Sequence, residues 1–251
     1  MVAVPPASEL LPIPERGRRF AAAWPVRLAD VDPRGEMRLD AIARHLQDVA
    51  SDDATDGGLD TAFGWVVRRT LVVVRQAPVL AEHIELTTFC TGTGRAWAER
   101  RTSIVGEHGG SVEAVSLWVQ VDAVNGRPTA LGEQFDRIYG EASAGRRVST
   151  RLALPGPPVH AAARPWIVRT VDLDVFGHVN NASHWPAVEA VLVAAGSGRV
   201  GVAEMEYLVP IDLESAVELR AAEVEPGCHD IWLTVGGRVH TAGRWRSTLT
   251  G

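Results

Sequence analysis

Apolar positions along this chain repeat at two periods, and the change from one to the other happens twice. Ala41, Ile42, His45, Leu46 and Val49 fall three and four apart, which places them on one face of a helix. Asp56-Gly-Gly58 then supplies a helix stop. Strand-like runs follow at Thr70–Arg75, His83–Thr91, Ala96–Val105 and Val112–Val121, with alternation plain in Ile84-Glu-Leu-Thr-Thr-Phe89 and Val112-Glu-Ala-Val-Ser-Leu-Trp118. The sequence starts over with Ala187, Val188, Val191 and Leu192 on a second helical face, and a stop at Gly196-Ser-Gly198. Strand-like runs come next at Ala203–Val209, Ala216–Val224, Asp230–Val235 and Arg244–Thr248. A helix followed by a meander of long strands, twice over, predicts an α+β fold in which each half wraps a curved antiparallel sheet around one helix.

The residues before each helix show that the recurrence is a duplication. Trp24-Pro-Val-Arg-Leu-Ala-Asp-Val-Asp-Pro-Arg-Gly35 aligns without a gap on Trp166-Ile-Val-Arg-Thr-Val-Asp-Leu-Asp-Val-Phe-Gly177, an offset of 142 (24 against 166). Identities fall at Trp24/Trp166, Val26/Val168, Arg27/Arg169, Asp30/Asp172, Asp32/Asp174 and Gly35/Gly177. The expected organisation is a Pro-rich leader over 1–19, a first domain over 20–145, a linker over 146–163 containing Leu154-Pro-Gly-Pro-Pro158, and a second domain over 164–251.

Composition narrows the function classes. With 251 residues and 46% hydrophobic content the chain can bury a substantial core. The apolar run Val66–Val74 is broken by Arg68 and Arg69 and falls far short of the ~20 residues that cross a bilayer, so no membrane span is expected and the cytoplasm is the expected location. A net charge of −6 argues against a general nucleic-acid binder, which needs a basic surface. The two cysteines, Cys90 and Cys228, stand alone without ligand spacing, so neither a disulfide framework nor a metal site is indicated.

Asp172-Leu-Asp-Val-Phe-Gly-His-Val-Asn-Asn181 resembles the hotdog thioesterase signature, in which an acidic residue precedes Gly-His-Val-Asn-Asn at the start of the central helix. Thr88-Phe-Cys-Thr-Gly-Thr-Gly94, Glu99-Arg-Arg101, Gly109-Gly110 and Ser116-Leu-Trp-Val119 are similar in order to the acyl-acyl carrier protein (acyl-ACP) thioesterases of plants and bacteria. With Arg127-Pro and the repeat, the resemblance covers roughly residues 20 to 225. It implies a tandem (double) hotdog fold, hydrolysis of a fatty acyl thioester carried by acyl carrier protein or coenzyme A, and no cofactor. Tandem hotdogs pair their sheets as single hotdogs do in homodimers; further homodimerisation is left open. In the family an acid, an asparagine two positions on and a histidine two further on approach the second helix. Here these are Asp174, Phe176 and His178, and the family's later acid and cysteine fall at Pro210 and Ile211.

A thioester makes modest demands, because its thiol leaves with a pKa of about 8.5 and needs little acid assistance. What remains is to activate water or supply a nucleophile, and to stabilise the oxyanion. Asp174 is the candidate carboxylate, as general base or as nucleophile, with His178 orienting water or carrying a proton. Asn180 and Asn181 stand at the helix start, where capping competes with substrate contact, and Trp185 in the first turns is placed to border an acyl pocket. In the first copy the equivalents of His178, Asn180 and Asn181 are Glu36, Arg38 and Leu39, so the chemistry is expected in the second. Two alternatives stay open. Asp32-Pro-Arg-Gly35 resembles the acidic motif of the 4-hydroxybenzoyl-CoA thioesterases, which makes Asp32 an alternative catalytic residue; and a protein that binds acyl thioesters without turnover would also fit Phe176, Pro210 and Ile211.

Overall fold

The computed structural model describes residues 10–59, 63–122, 124–196 and 199–247. Part of the predicted leader, two residues of the second helix stop and Thr248 lie outside them. Two compact units emerge. Within the described residues, one comprises residues 10–38 and 44–151, and the other residues 39–43 and 152–247.

The first unit holds strand β1 (Phe20–Pro25), helix α1 (Leu39–Asp56) from Arg44 on, β2 (Phe63–Gln76), β3 (His83–Thr93), β4 (Trp97–Gly106) and β5 (Ser111–Asp122). The strands are antiparallel throughout and lie in the order β1-β3-β4-β5-β2. The predicted face of α1 is buried at Ala41, Ile42, Leu46 and Val49. Gly57 caps its end by donating to Asp53 O, and Gly58 turns the chain at a φ of +67°, a conformation that favours glycine.

Alternation survives over Ile84–Leu86 and then stops, since β3 is buried on both faces from Thr88 to Gly92. The reason is a helix the strand pattern did not announce. In α2 (Glu133–Ser143), Phe135 and Tyr139 pack against Cys90 and Ala98. On α1, Asp53 is 1% exposed and is held between Arg18 (Nε to Oδ1, 2.6 Å) and Arg100 (Nη1 to Oδ2, 2.5 Å), as a buried carboxylate requires. Arg101, one residue on, pairs instead with Glu113 at 2.7 Å. Neither Arg100 nor Arg101 is therefore an exposed cation.

In the second unit, β6 (Ala163–Trp166) precedes α3 (Pro186–Ala194), β7 (Val200–Tyr207), β8 (Val217–Glu225), β9 (Cys228–Val235) and β10 (Arg238–Ser247). The strand order is β6-β8-β9-β10-β7, which repeats that of the first unit position for position. The fold is the expected α+β arrangement, built twice. The segment ahead of β6 is anchored: the buried Glu206 carboxylate accepts the Ala153 and Leu154 N–H groups at 2.6 and 3.1 Å, and Trp232 Nε1 donates to Pro155 O at 2.7 Å. No helix among the described residues is long and apolar enough to cross a membrane.

Candidate active site

The site candidates sit on a turn built by two aspartates. Arg169, Thr170 and Val171 lead into Asp172, whose Oδ2 accepts the Arg169 N–H at 2.8 Å and closes a short 3-10 turn. Asp172 is buried and its charge is matched by the Arg169 guanidinium at 2.7 Å. Two residues on, Asp174 Oδ1 accepts the backbone N–H groups of Phe176 (2.9 Å) and His178 (3.4 Å). This aspartate turn imitates a backbone turn with its side chain. Gly177, at a φ of +79°, lets the backbone reverse so that Asp174 N–H reaches His178 O at 2.8 Å.

The first unit makes the same turn from the same residues. Asp30 Oδ2 accepts Arg27 N–H at 2.9 Å, and Asp32 Oδ1 accepts Arg34 and Glu36 N–H at 2.8 and 3.1 Å, with Gly35 at a φ of +77°. The side chains then part company. Asp32 Oδ2 is taken by the Arg34 guanidinium, with Nε at 2.9 Å and Nη2 at 2.8 Å, and Arg34 also approaches Glu36 at 3.5 Å. At the position of Arg34 the second unit carries Phe176, which is 59% exposed. Among the described residues no cationic side chain pairs with Asp174, so one of its oxygens stays available to a substrate or a water.

After the turn, Val179 N–H bonds Ile211 O at 2.8 Å and sets His178 opposite Asp212 in an antiparallel bridge. The His178 imidazole Nε2 lies 3.6 Å from Asp212 Oδ1. Asn180 acts as a cap, its Oδ1 accepting Ala182 N–H at 2.8 Å and opening the 3-10 turn Asn181–His184 that leads into α3 with Pro186 at its first position. Trp185 is fully buried. Its Nε1 donates to the Tyr207 hydroxyl at 2.9 Å, and that hydroxyl donates to Asn181 O at 3.1 Å. His184, beneath the same turn, pairs with Thr241 Oγ1 at 2.9 Å, and burial pushes its pKa down to about 4. Glu189 Oε1, on α3, accepts Leu39 N–H at 2.7 Å within the same compact unit.

The structure thus gathers Asp174, His178 and Asn180 on one turn at a helix start, and seats Trp185 in the packing directly behind it. Asp212, Tyr207 and His184 are the residues that sequence reasoning missed. Cys90 is a poor nucleophile, since burial raises its thiol to about 11. Among the described residues no group of three or more His, Cys, Asp or Glu side chains could hold a metal ion.

A buried helix with a sheet ordered 1-3-4-5-2, present twice in one chain, defines a double hotdog. Its shape matches that of a 12:0-ACP thioesterase from Umbellularia californica (TM-score 0.76, 20% identity, 93% of this chain and 99% of the other). An acyl-ACP thioesterase from Bacteroides thetaiotaomicron matches equally (TM-score 0.77, 17% identity, 92% and 98%). In sequence, an uncharacterised protein of Mycobacterium tuberculosis is 28% identical over 209 residues, 82% of this chain and 84% of that one. Residues 17–139 match the acyl-ACP thioesterase N-terminal domain. This domain match and the related thioesterases indicate that the chain is a thioester hydrolase.

Proposed function

We propose that this protein releases a free fatty acid from acyl carrier protein, with Asp174 as the general base. One observation carries this reading: of the two aspartate turns, that of Asp32 has a cation on its second oxygen, and that of Asp174 has none among the described residues. Water bound to that oxygen loses a proton to the carboxylate as its oxygen bonds the thioester carbonyl carbon. The C–S bond then breaks, its electron pair leaving on sulfur, and the thiolate is protonated by His178 or by solvent. The backbone N–H groups at the start of the α3 segment are suited to the developing oxyanion. Asn180 serves this arrangement as a cap, and its contribution is to aim those groups.

Phe176 replaces the family's asparagine and offers no hydrogen bond, so Asp174 must hold water without that help. The preference for acyl carrier protein over coenzyme A, and a place at chain release in fatty acid synthesis, rest on the family resemblance. The test is to follow thiol release from matched acyl-ACP and acyl-CoA substrates over a range of chain lengths. Faster turnover of the carrier-protein thioester, lost in Asp174→Ala, is expected. Retention of intact acyl thioester by the wild-type protein without any release would replace hydrolysis with binding alone.

A further inference from the structure

We infer that Asp212 is a positioning residue for His178, acting with it as a unit; the inference rests on the hydrolytic reading above. The two residues are far apart in sequence and are brought opposite one another by backbone pairing. Val179 N–H donates to Ile211 O, and His178 and Asp212 form the adjoining antiparallel bridge. That register puts imidazole Nε2 and carboxylate Oδ1 at 3.6 Å. Asp212 is itself fixed by the turn that follows β7, where its N–H donates to Ser215 Oγ at 3.2 Å and its carbonyl accepts the Ser215 N–H at 3.1 Å.

The first unit supplies the control. Its turn makes the same long-range contact, Met37 N–H to Pro78 O at 2.8 Å, and the residues facing one another there are Glu36 and Val79. Both members of the bridge therefore differ together between the copies. The acid–imidazole pair occurs in the copy whose turn carboxylate is open, and is missing where Arg34 closes it. A base faced by a carboxylate is the arrangement by which a histidine is kept in one direction. So held, His178 can relay a proton from solvent to the departing thiolate; Asp174, having taken one from water, returns it to solvent, and the cycle closes with acid and thiol as products.

Both side chains reach solvent, at 43% and 73% exposure, so the coupling is moderate. Asp212→Asn is expected to lower kcat about three- to fivefold with KM unchanged. Asp212→Glu should recover most of the loss. In a His178→Ala background, Asp212→Asn should cost nothing further, which a merely structural loop residue would not show. Equal kcat in Asp212→Asn and wild type, or additive losses in the double variant, would overturn the inference while leaving Asp174-dependent turnover intact. Turnover that survives Asp174→Ala would instead sink the underlying reading.

Discussion

The aspartate turns at 30–38 and 172–180 share their hydrogen bonds almost atom for atom, yet they are chemically opposite. In the first, Arg34 folds back on Asp32 and on Glu36, and Arg38 donates to the carbonyls of Val31 and Ala29 at 2.7 Å each. Charge is neutralised and donors are spent inside the turn. In the second, the corresponding positions carry Phe176, His178 and Asn180, which leave a carboxylate oxygen open and pair an imidazole with a distant acid. The comparison separates two roles that one residue type can play: the aspartate is needed for the backbone in both copies, while its neighbours decide whether it is also available for chemistry.

The largest test removes the two aspartates separately. General-base catalysis is worth about 100- to 10,000-fold, so Asp174→Ala should lower kcat by at least about 100-fold. Asp32→Ala should leave kcat within about twofold and register as a loss of about 1 kcal/mol in chemical denaturation, since the oxygen that accepts two backbone N–H groups is removed. Equal activity losses in both variants would erase the functional distinction between the copies.

Next in size is a difference in acid sensitivity. His184 occupies the place that Ile42 holds in the first copy, 142 positions earlier, and both are buried. Burial depresses the His184 pKa from 6.5 to about 4. The folded state therefore favours the neutral ring, and the stability this confers is complete above pH 6.5. As the pH falls from about 6.5 to about 4 the unfolded chain takes up a proton that the folded one refuses, and stability drops by about 3 kcal/mol before levelling off. Denaturant midpoints measured across that range should show the drop in wild type and a flatter profile in His184→Leu.

A smaller effect is expected at Tyr207, whose hydroxyl links Trp185 to the carbonyl of Asn181. Tyr207→Phe leaves the buried indole N–H without its acceptor, at a cost of about 1–3 kcal/mol, read as a lowered denaturation midpoint.

How far the sequence anticipated this arrangement depends on what each residue touches. The duplication was legible because its identities, Asp30/Asp172, Asp32/Asp174 and Gly35/Gly177, are the residues whose side chains or backbone angles build the turn locally. Helix α2 was readable in principle, from Phe135, Tyr139 and Ala142 at spacings of four and three, but its short amphipathic run lay between strand patterns and loop residues. Arg100 and Arg101 could not be assigned from sequence, because adjacent strand residues point to opposite faces and their partners, Asp53 and Glu113, come from different elements. The same holds for His178 and Asp212, whose meeting is a matter of strand register. Asn180 could be read both as a cap and as a substrate ligand; its contact with Ala182 N–H satisfies the first role.

The finest test converts one copy into the other. Phe176 is more than half exposed, so arginine can replace it without disturbing the core. In Phe176→Arg the guanidinium should fold back on Asp174 as Arg34 does on Asp32, since the turn that directs it is the same. An exposed pair of this kind contributes up to about 1 kcal/mol, so kcat should fall about fivefold. The loss should shrink in high salt, where such a pair is screened. The reciprocal Arg34→Phe should leave turnover unchanged, because that turn still lacks a histidine and its acid. If Phe176→Arg lost activity equally at all salt concentrations, the ring itself, and not the absence of a cation, would be what the second copy requires.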